Sequence, residues 1–433
     1  MVGMIYDVII AGGSFAGLAA AVQLRGRRVL VVEPHEIGAV QSSACGTLLA
    51  VLQATGTLDS LIQVHNSVVL HLGKAAIEYP TPYPFCTFDY RKFCQLLLAQ
   101  ADAEVVHASA LHHEGNVVTT TQGEFEARVM IDATGWRAAL ATNSQRQAES
   151  RAGRSFGVET NLPIRGRGLH FYYDPPLIGS HVVGWAFPAG ATARIGVGSY
   201  RGRSQLNRPL SRLVQAHFGD VPDGRHGGYF TSQRLPAVTG DVFRVGDAAG
   251  HCLPLTGEGI RPALCFGARL GRLVQGVLSE DWSEAEARLR YQSLINRHVV
   301  PHRLLLAAQK VLPALPLRGI KGVGDVIRRP ANLDWLMKAY WNAFDPKEFS
   351  WSTELEPVRR PLPRISTQGG STAGRVVAVA DPGAGQWREH ADAVDLPGRR
   401  GNGDRVSFPA GQRCGLAPDR LRAISGGGGR WRR

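Results

Sequence analysis

No run of about 18 consecutive apolar residues occurs in the 433-residue chain, so a membrane-spanning helix is not expected. The chain also enters its first strand by Tyr6, so a cleaved signal peptide is not expected. Its six cysteines, Cys45, Cys86, Cys94, Cys252, Cys265 and Cys414, are scattered. They show neither metal-ligand spacing nor the density of a disulfide scaffold, which predicts a reducing, cytoplasmic compartment. His112-His113 and the pair His298 and His302 lack carboxylate partners at metal spacing, so no metal is assigned. The body carries no basic stripe with interleaved aromatics, and nucleic acid is not expected as a partner. The net charge of +13 is instead concentrated at one end: residues 357–433 hold 14 Arg, no Lys and 6 acids, hence +8. Periodicity stops there and Gly and Pro dominate, which predicts a disordered basic tail.

What the sequence does have begins at residue 6. Residues 8–10, Val-Ile-Ile, form a short β-branched run of the kind that a buried parallel strand requires. Gly12-Gly13-Ser14-Phe15-Ala16-Gly17 follows at once, an apolar helix runs to Leu24, and residues 29–32 make a second strand ending at Glu33. This is a dinucleotide-binding fingerprint in its proper context. Gly12 permits the turn, Gly17 lets helix and strand approach, and the helix N-terminus receives a pyrophosphate. Glu33 is placed to accept from a ribose. Ser14 stands where the pattern has its middle glycine; its N–H remains available, but its side chain crowds the pyrophosphate.

Further along, residues 67–79 alternate as a hairpin about Gly73-Lys74, and Pro80, Pro82 and Pro84 are expected to break the chain before a helix opening at Tyr90. Between residues 154 and 234 the texture changes to alternating strands with Gly and Pro turns, as in an antiparallel sheet. Residues 242–245 return as a strand ending in Gly246-Asp247, and helical patterns follow over 259–278, 283–312 and 331–344.

That strand end is the second informative stretch. Asp247 sits at the carboxyl edge of a parallel sheet, where it can bind ribityl hydroxyls. Pro254 and Gly257 lead into Gly259-Ile260, which opens a helix whose N–H groups can face the electron-rich edge of a flavin. With the first fingerprint and the turn Asp132-Ala133-Thr134-Gly135, three segments converge on one FAD. The fold class follows: α/β, with a Rossmann-like FAD-binding domain, an antiparallel β-sheet substrate domain and C-terminal helices. The expected boundaries are 1–66, 85–150 and 235–282 for the discontinuous FAD-binding domain, and 67–84 with 151–234 for the substrate domain. Residues 283–350 form the helical region, ahead of the tail.

The motif from Gly246 to Gly250, the Pro254-Leu255-Thr256-Gly257-Glu258-Gly259-Ile260 stretch, the Cys45-Gly46 turn and Trp185-Ala186-Phe187-Pro188 together resemble the geranylgeranyl reductase family. These are FAD-dependent reductases with the para-hydroxybenzoate hydroxylase type of fold, and the likeness covers residues 4–350. The resemblance implies FAD contacts from Ala16, Glu33, Ala44, Cys45, Thr47, Asp247, Gly259 and Ile260, with Arg91 as a further contact. The family's Arg at the helix after the second-domain hairpin is displaced here, leaving Tyr90 or Arg91 near its place. In the family, Pro-x-x-Tyr-x-Trp-x-Phe-Pro borders the substrate tunnel. Here Trp185 and Phe187-Pro188 are kept, while Val183 replaces the Tyr and Ser180 the first Pro.

Reducing an isolated alkene needs a hydride from reduced flavin N5 at one carbon and a proton at the other. Positive charge develops at the substituted carbon, and aromatic faces such as Trp185 and Phe187 stabilise it by ~1–2 kcal/mol when desolvated. The alternative for both is plain sheet core. Cys45 is a candidate proton donor or polarising group, or a buried small hydrophobe; a free thiol titrates at about 8.5. His251 reads as a second titrating group or a packing residue. The expected function is an FAD-dependent reductase of isoprenoid chains, in lipids or free diphosphates. A flavin monooxygenase or halogenase is the alternative, although a halogenase would favour Trp-x-Trp-x-Ile-Pro where Val183 and Phe187 stand. A degenerate FAD-binding protein that docks on a partner through its arginine tail is the third. No second glycine fingerprint is visible, so the electron donor is left between NADPH or NADH and a small ferredoxin-like protein. The helical end mixes Arg and Lys with Trp335, Tyr340 and Trp341, as a peripheral contact with the inner face of a membrane would, or as a solvated helix face would.

Overall fold

The computed structural model describes residues 5–142, 154–202, 205–219 and 224–351, and every structural statement below concerns these; the arginine-rich tail lies outside them. The first sheet is built around Tyr6–Ala11, which is parallel to Val29–Val32 on one side and to Gly123–Asp132 on the other. Ala103–Val106 and Val242–Arg244 extend it in parallel, and Val238–Thr239 closes one edge antiparallel. Ile9, Ala11, Leu30 and Val32 pack into one core, and Val8, Ile10, Val29 and Val31 into another on the opposite face. Two covered faces explain the unbroken apolar runs in these strands.

On one face, Phe15–Ala21 packs against the long helix Ile260–Leu278. Their approach needs Gly267 and Gly271, since a Cβ there would stand 2.3 Å from the Ala16 carbonyl oxygen and 2.4 Å from that of Ala20. On the other face, Ala110–Glu114 and Val117–Thr120 form an antiparallel meander into Gly123–Asp132.

The second sheet runs in the order His226–Phe230, Ser155–Leu162, Thr192–Ser199, Val182–Ala189, Leu169–Tyr173, Leu61–Leu72, Ala75–Phe88, Gly46–Leu48. All of its pairs are antiparallel except Leu169–Tyr173 with Leu61–Leu72. Helix Asn207–His217 covers one face through Leu210, Leu213 and Val214. The opposite face joins the core shared with the first sheet.

The three prolines do not break the chain: Ala75–Phe88 is one strand running through Pro80, Pro82 and Pro84. Gly46–Leu48 covers its outer side only over Phe85–Thr87, so the proline stretch is an edge. Spaced two apart, the prolines lack their N–H groups on one side of the strand, where no ladder bond is lost. The helical end also differs from the sequence pattern. Residues 283–312 form two helices, Glu284–Asn296 and Val299–Val311, followed by Leu317–Ile327, which the pattern did not show, and Pro330–Ala343.

Candidate functional site

The turn after Tyr6–Ala11 is as tight as its glycines suggest. Gly12 has φ +110°, and a Cβ on it would lie 2.2 Å from the Ala133 carbonyl oxygen; a Cβ on Gly17 would lie 2.0 Å from that of Gly12. The Gly13 N–H donates to Glu33 Oε2 at 2.9 Å, so this acid braces the turn from the end of the second strand. Ser14 has its hydroxyl 2.9 Å from that of Tyr90, which also lies 3.1 Å from the Ser42 hydroxyl. The side chain that replaces the middle glycine is thereby tied to a buried tyrosine at the start of helix Tyr90–Leu98. Arg91 lies on the surface in an ion pair with Glu36 at 2.5 Å, so Tyr90 is the residue of the two that reaches the turn.

Two further segments meet this one. Buried Asp132 accepts from the Thr134 N–H at 3.0 Å, the Thr134 hydroxyl at 2.6 Å and the Leu140 N–H at 2.9 Å, which shapes the turn through Gly135. A Cβ on Gly246 would stand 3.0 Å from Ala16 Cβ, so the strand end carrying Asp247 lies against the first helix. Burial pushes the Asp247 carboxyl up to about 7, opposed by the Thr231 N–H that donates to Oδ2 at 3.4 Å. His251 accepts the Gly246 N–H on Nδ1 at 3.2 Å and packs on Phe266. Burial holds its pKa down at about 3, and its buried Nε2 has no hydrogen-bond partner among the described residues.

The loop from Pro254 to Gly259 is clamped from outside. Leu255 has φ +64°, its N–H donates to Gln309 Oε1 at 2.7 Å, and its carbonyl accepts from the Tyr200 hydroxyl. Gly259 caps the long helix that Ile260 opens. Glu258 and the fully buried Arg261 form an ion pair, and Arg261 also donates to the Tyr340 carbonyl at 3.0 Å and lies over the Tyr340 ring.

Cys45 is part of the core to which both sheets contribute. Cys45 has φ +56° and is fully buried; Sγ donates to the Ser43 carbonyl at 3.1 Å. Burial pushes its thiol far above the ordinary range, with the Arg194 guanidinium pulling the other way. Arg194 holds the turn, donating to the Ala44 carbonyl at 3.3 Å and to that of Phe88 at 3.0 Å. Next along, the buried Thr47 Oγ1 has no hydrogen-bond partner among the described residues. A buried hydroxyl of this kind calls for a ligand or water.

Trp185 and Phe187 share a face of Val182–Ala189, and the Phe187 ring packs on Gly46, 3.0 Å from where its Cβ would stand. Trp185 belongs to a cross-strand row: Phe171, Trp185, Gly196, Glu159 and His226 lie side by side on five adjacent strands. The indole fills the space that Gly196 leaves, with Cζ2 2.1 Å from the position of a Cβ there, and it borders Gly157 and Gly198. Its Nε1 donates to buried Glu159 at 2.7 Å. The other Glu159 oxygen takes Gln41 Nε2 at 3.2 Å and His226 Nε2 at 3.3 Å, while Gln41 also donates to the Ser43 carbonyl at 2.8 Å. Sequence reasoning missed Glu159, Arg194 and Gln41, because their importance lies in cross-strand partners rather than in a motif.

No family model matches the sequence. A digeranylgeranylglycerophospholipid reductase of Methanopyrus kandleri is 28% identical over 330 residues, which cover 67% of this chain and 82% of that protein. Other proteins of that name match at similar identity. A menaquinone reductase of Mycolicibacterium smegmatis is 28% identical over 384 residues, covering 76% of this chain and 89% of the relative. Among solved structures, a geranylgeranyl bacteriochlorophyll reductase-like protein of Thermoplasma acidophilum superposes with a TM-score of 0.65 at 20% identity, covering 75% of this chain and 92% of that one. The parallel sheet with its glycine turn, joined to the antiparallel sheet, therefore has the fold of the FAD-dependent oxidoreductases, and the chain is an oxidoreductase. Within that class its sequence is similar to proteins named digeranylgeranylglycerophospholipid reductase.

Proposed function

We propose that this chain reduces isolated carbon–carbon double bonds in isoprenoid chains carried by lipids or diphosphates, with FAD as its cofactor. The names of its relatives support the substrate class. The residues present fit the cofactor: Gly12, Gly13 and Gly17 let strand, turn and helix close on one another so that the helix N-terminus stands at the strand end, and the buried Thr47 hydroxyl has no partner among the described residues. Ser14, Ala16 and the helix N-terminus would hold the pyrophosphate, Glu33 the ribose and Asp247 the ribityl hydroxyls. Ala44, Cys45, Thr47, Gly135, Pro254, Gly257, Gly259 and Ile260 would line the ring and its chain. Arg91 is at the edge, engaged by Glu36.

When bound, the reduced flavin supplies the hydride; each double bond takes up one hydride and one proton. The chain's own contribution is to hold the alkene and to stabilise the carbon that gains positive charge. Trp185 would do this with its face, and Phe187 would set the wall between it and the Cys45 turn. The observation that carries this reading is the Trp185 indole itself, packed at the margin of the shared core, laid across a glycine and hydrogen-bonded to a carboxylate. Cys45 keeps its proton on Sγ through neutral pH.

The test is anaerobic. The purified flavoprotein is reduced chemically and mixed with a geranylgeranyl lipid while the oxidised flavin band is followed. Its return with a saturated product is the expected result. No return without oxygen, and a fast return with it, would replace alkene reduction by the monooxygenase reading. Peripheral membrane contact is part of the same proposal. Val300, Leu304, Val323 and Trp335 are exposed on three successive C-terminal helices that also carry Arg303, Lys310, Arg318 and Lys321. Co-sedimentation with anionic vesicles is expected; equal recovery in the supernatant with and without vesicles would remove that part.

A further inference from the structure

The carboxylate in the cross-strand row has no part in cofactor binding, yet three polar side chains converge on it. Glu159 is buried on a strand paired on both sides, where an unpaired charge is strongly disfavoured. Its partners are an indole N–H, an amide and an imidazole, and two of them belong to the proposed reaction site: Trp185 directly, and Gln41 through the Ser43 carbonyl that Cys45 uses. We infer that Glu159 is a positioning residue for Trp185, fixing the indole across Gly196 and enriching its π face, with the Glu159–His226 pair setting how much of the carboxylate's charge the indole receives. The inference rests on the alkene-reductase reading of the same site.

The physical argument has two parts. An indole in a glycine trough could slide along it; a 2.7 Å hydrogen bond to a buried carboxylate removes that freedom and is of the charge-assisted, stronger kind. An anion accepting from Nε1 also pushes electron density into the ring, and a more electron-rich face attracts a cationic carbon more strongly. His226 shares the carboxylate from the solvent side, with its side chain about two-fifths exposed. The charged groups that act on it are Glu159, whose hydrogen bond raises its pKa, and Arg194, which lowers it along with burial. While His226 is protonated, it competes for the charge of Glu159. Once it is neutral, that charge is left to Trp185 and Gln41.

Turnover is therefore expected to step upward as pH rises through the His226 titration. Glu159→Gln keeps the shape and the acceptor for Trp185 Nε1, while its NH2 group faces the imidazole and no longer accepts from Gln41 Nε2. It is expected to retain FAD and to slow lipid-driven flavin reoxidation about tenfold. It should also remove the pH step and lower the His226 pKa measured by NMR. His226→Gln, at a half-exposed position, tests the same point without touching the core: the pH step should vanish and the rate stay on the upper plateau. Wild-type protein that turns over lipid, alongside a Glu159→Gln variant equally fast, would overturn the inference and leave the function standing. So would a pH step that survives in His226→Gln. Wild-type protein that fails to turn over any isoprenoid lipid would overturn the functional reading, and this inference with it.

Discussion

Gly196→Ala is the smallest change that separates Trp185 from its carboxylate. The added Cβ would stand 2.1 Å from Cζ2 and 2.4 Å from Cε2 of the indole, and 2.8 Å from the Val158 carbonyl oxygen. Carbon atoms rest at about 3.5–4.0 Å, so the ring must move by roughly 1.5 Å. The hydrogen bond from Nε1 is 2.7 Å long and does not survive such a shift. Overpacking costs about 1–3 kcal/mol, and loss of a hydrogen bond to a charged group about 1.5–3 kcal/mol. Thermal unfolding of Gly196→Ala is expected to fall accordingly.

The rate should respond separately from the stability. If the indole face contributes ~1–2 kcal/mol to the transition state, its displacement slows alkene reduction by about 5–30-fold, measured by stopped-flow flavin reoxidation. Adding Trp185→Ala relieves the collision with the ring, so the double variant should lose less stability than the sum of the two single variants while its rate stays low. Such non-additivity marks residues in direct contact. Gly196→Ala with the wild-type rate and unchanged indole fluorescence would refute the reasoning, because a ring that tolerates the new methyl was never seated across the glycine. Loss of bound FAD in Trp185→Ala, in step with turnover, would make Trp185 a folding residue.

Two other sites give independent expectations. Burial raises the Asp247 pKa from 3.8 to about 7, so the stability tied to its protonated form is present below the unfolded value and lost as pH rises through about 7. Asp247→Asn should flatten that slope in flavin-free protein and raise its melting temperature at about pH 8, whereas Asp247→Ala should fail to retain flavin. An unchanged slope between pH 4 and 7, or full retention of the yellow cofactor in the alanine variant, would show that Asp247 does neither. Glu258→Gln leaves Arg261 buried without its counter-charge, which costs about 3–5 kcal/mol in urea unfolding. A loss below about 1 kcal/mol would mean that the Tyr340 and Phe344 carbonyls and the Tyr340 ring satisfy the guanidinium.

The parts of this molecule that could be read from sequence are those where one local stretch carries the whole signal. Residues 6–33 announce a strand, a turn and a helix because each step limits the next: an apolar run covered on both faces, glycines where a Cβ would meet a carbonyl, an acid at the second strand's end. The prolines of Ala75–Phe88 misled because local preference says nothing of whether a neighbouring strand needs the missing donors, and here none does over residues 80–84. The Arg position was ambiguous between residues 90 and 91 for a similar reason: one helix step decides which side chain meets Ser14, and tertiary packing chose the tyrosine.

Glu159 was hidden more deeply. In Ser155–Leu162 it alternates with Val158 and Thr160 as a solvent-facing acid would on a half-buried strand. Its face is covered only because the sheet carries glycines at 157, 196 and 198, which lower the surface enough for an indole from two strands away to lie over it. Scattered through the sequence, those glycines read as turn or flexibility signals. Only the register places them in one patch, with Trp185 filling it and a carboxylate at its rim. A motif search finds Trp185 by its neighbours in the chain, but what orients Trp185 lies 26 residues earlier, and a substitution at Gly196 or Glu159 should alter its chemistry while leaving the motif intact.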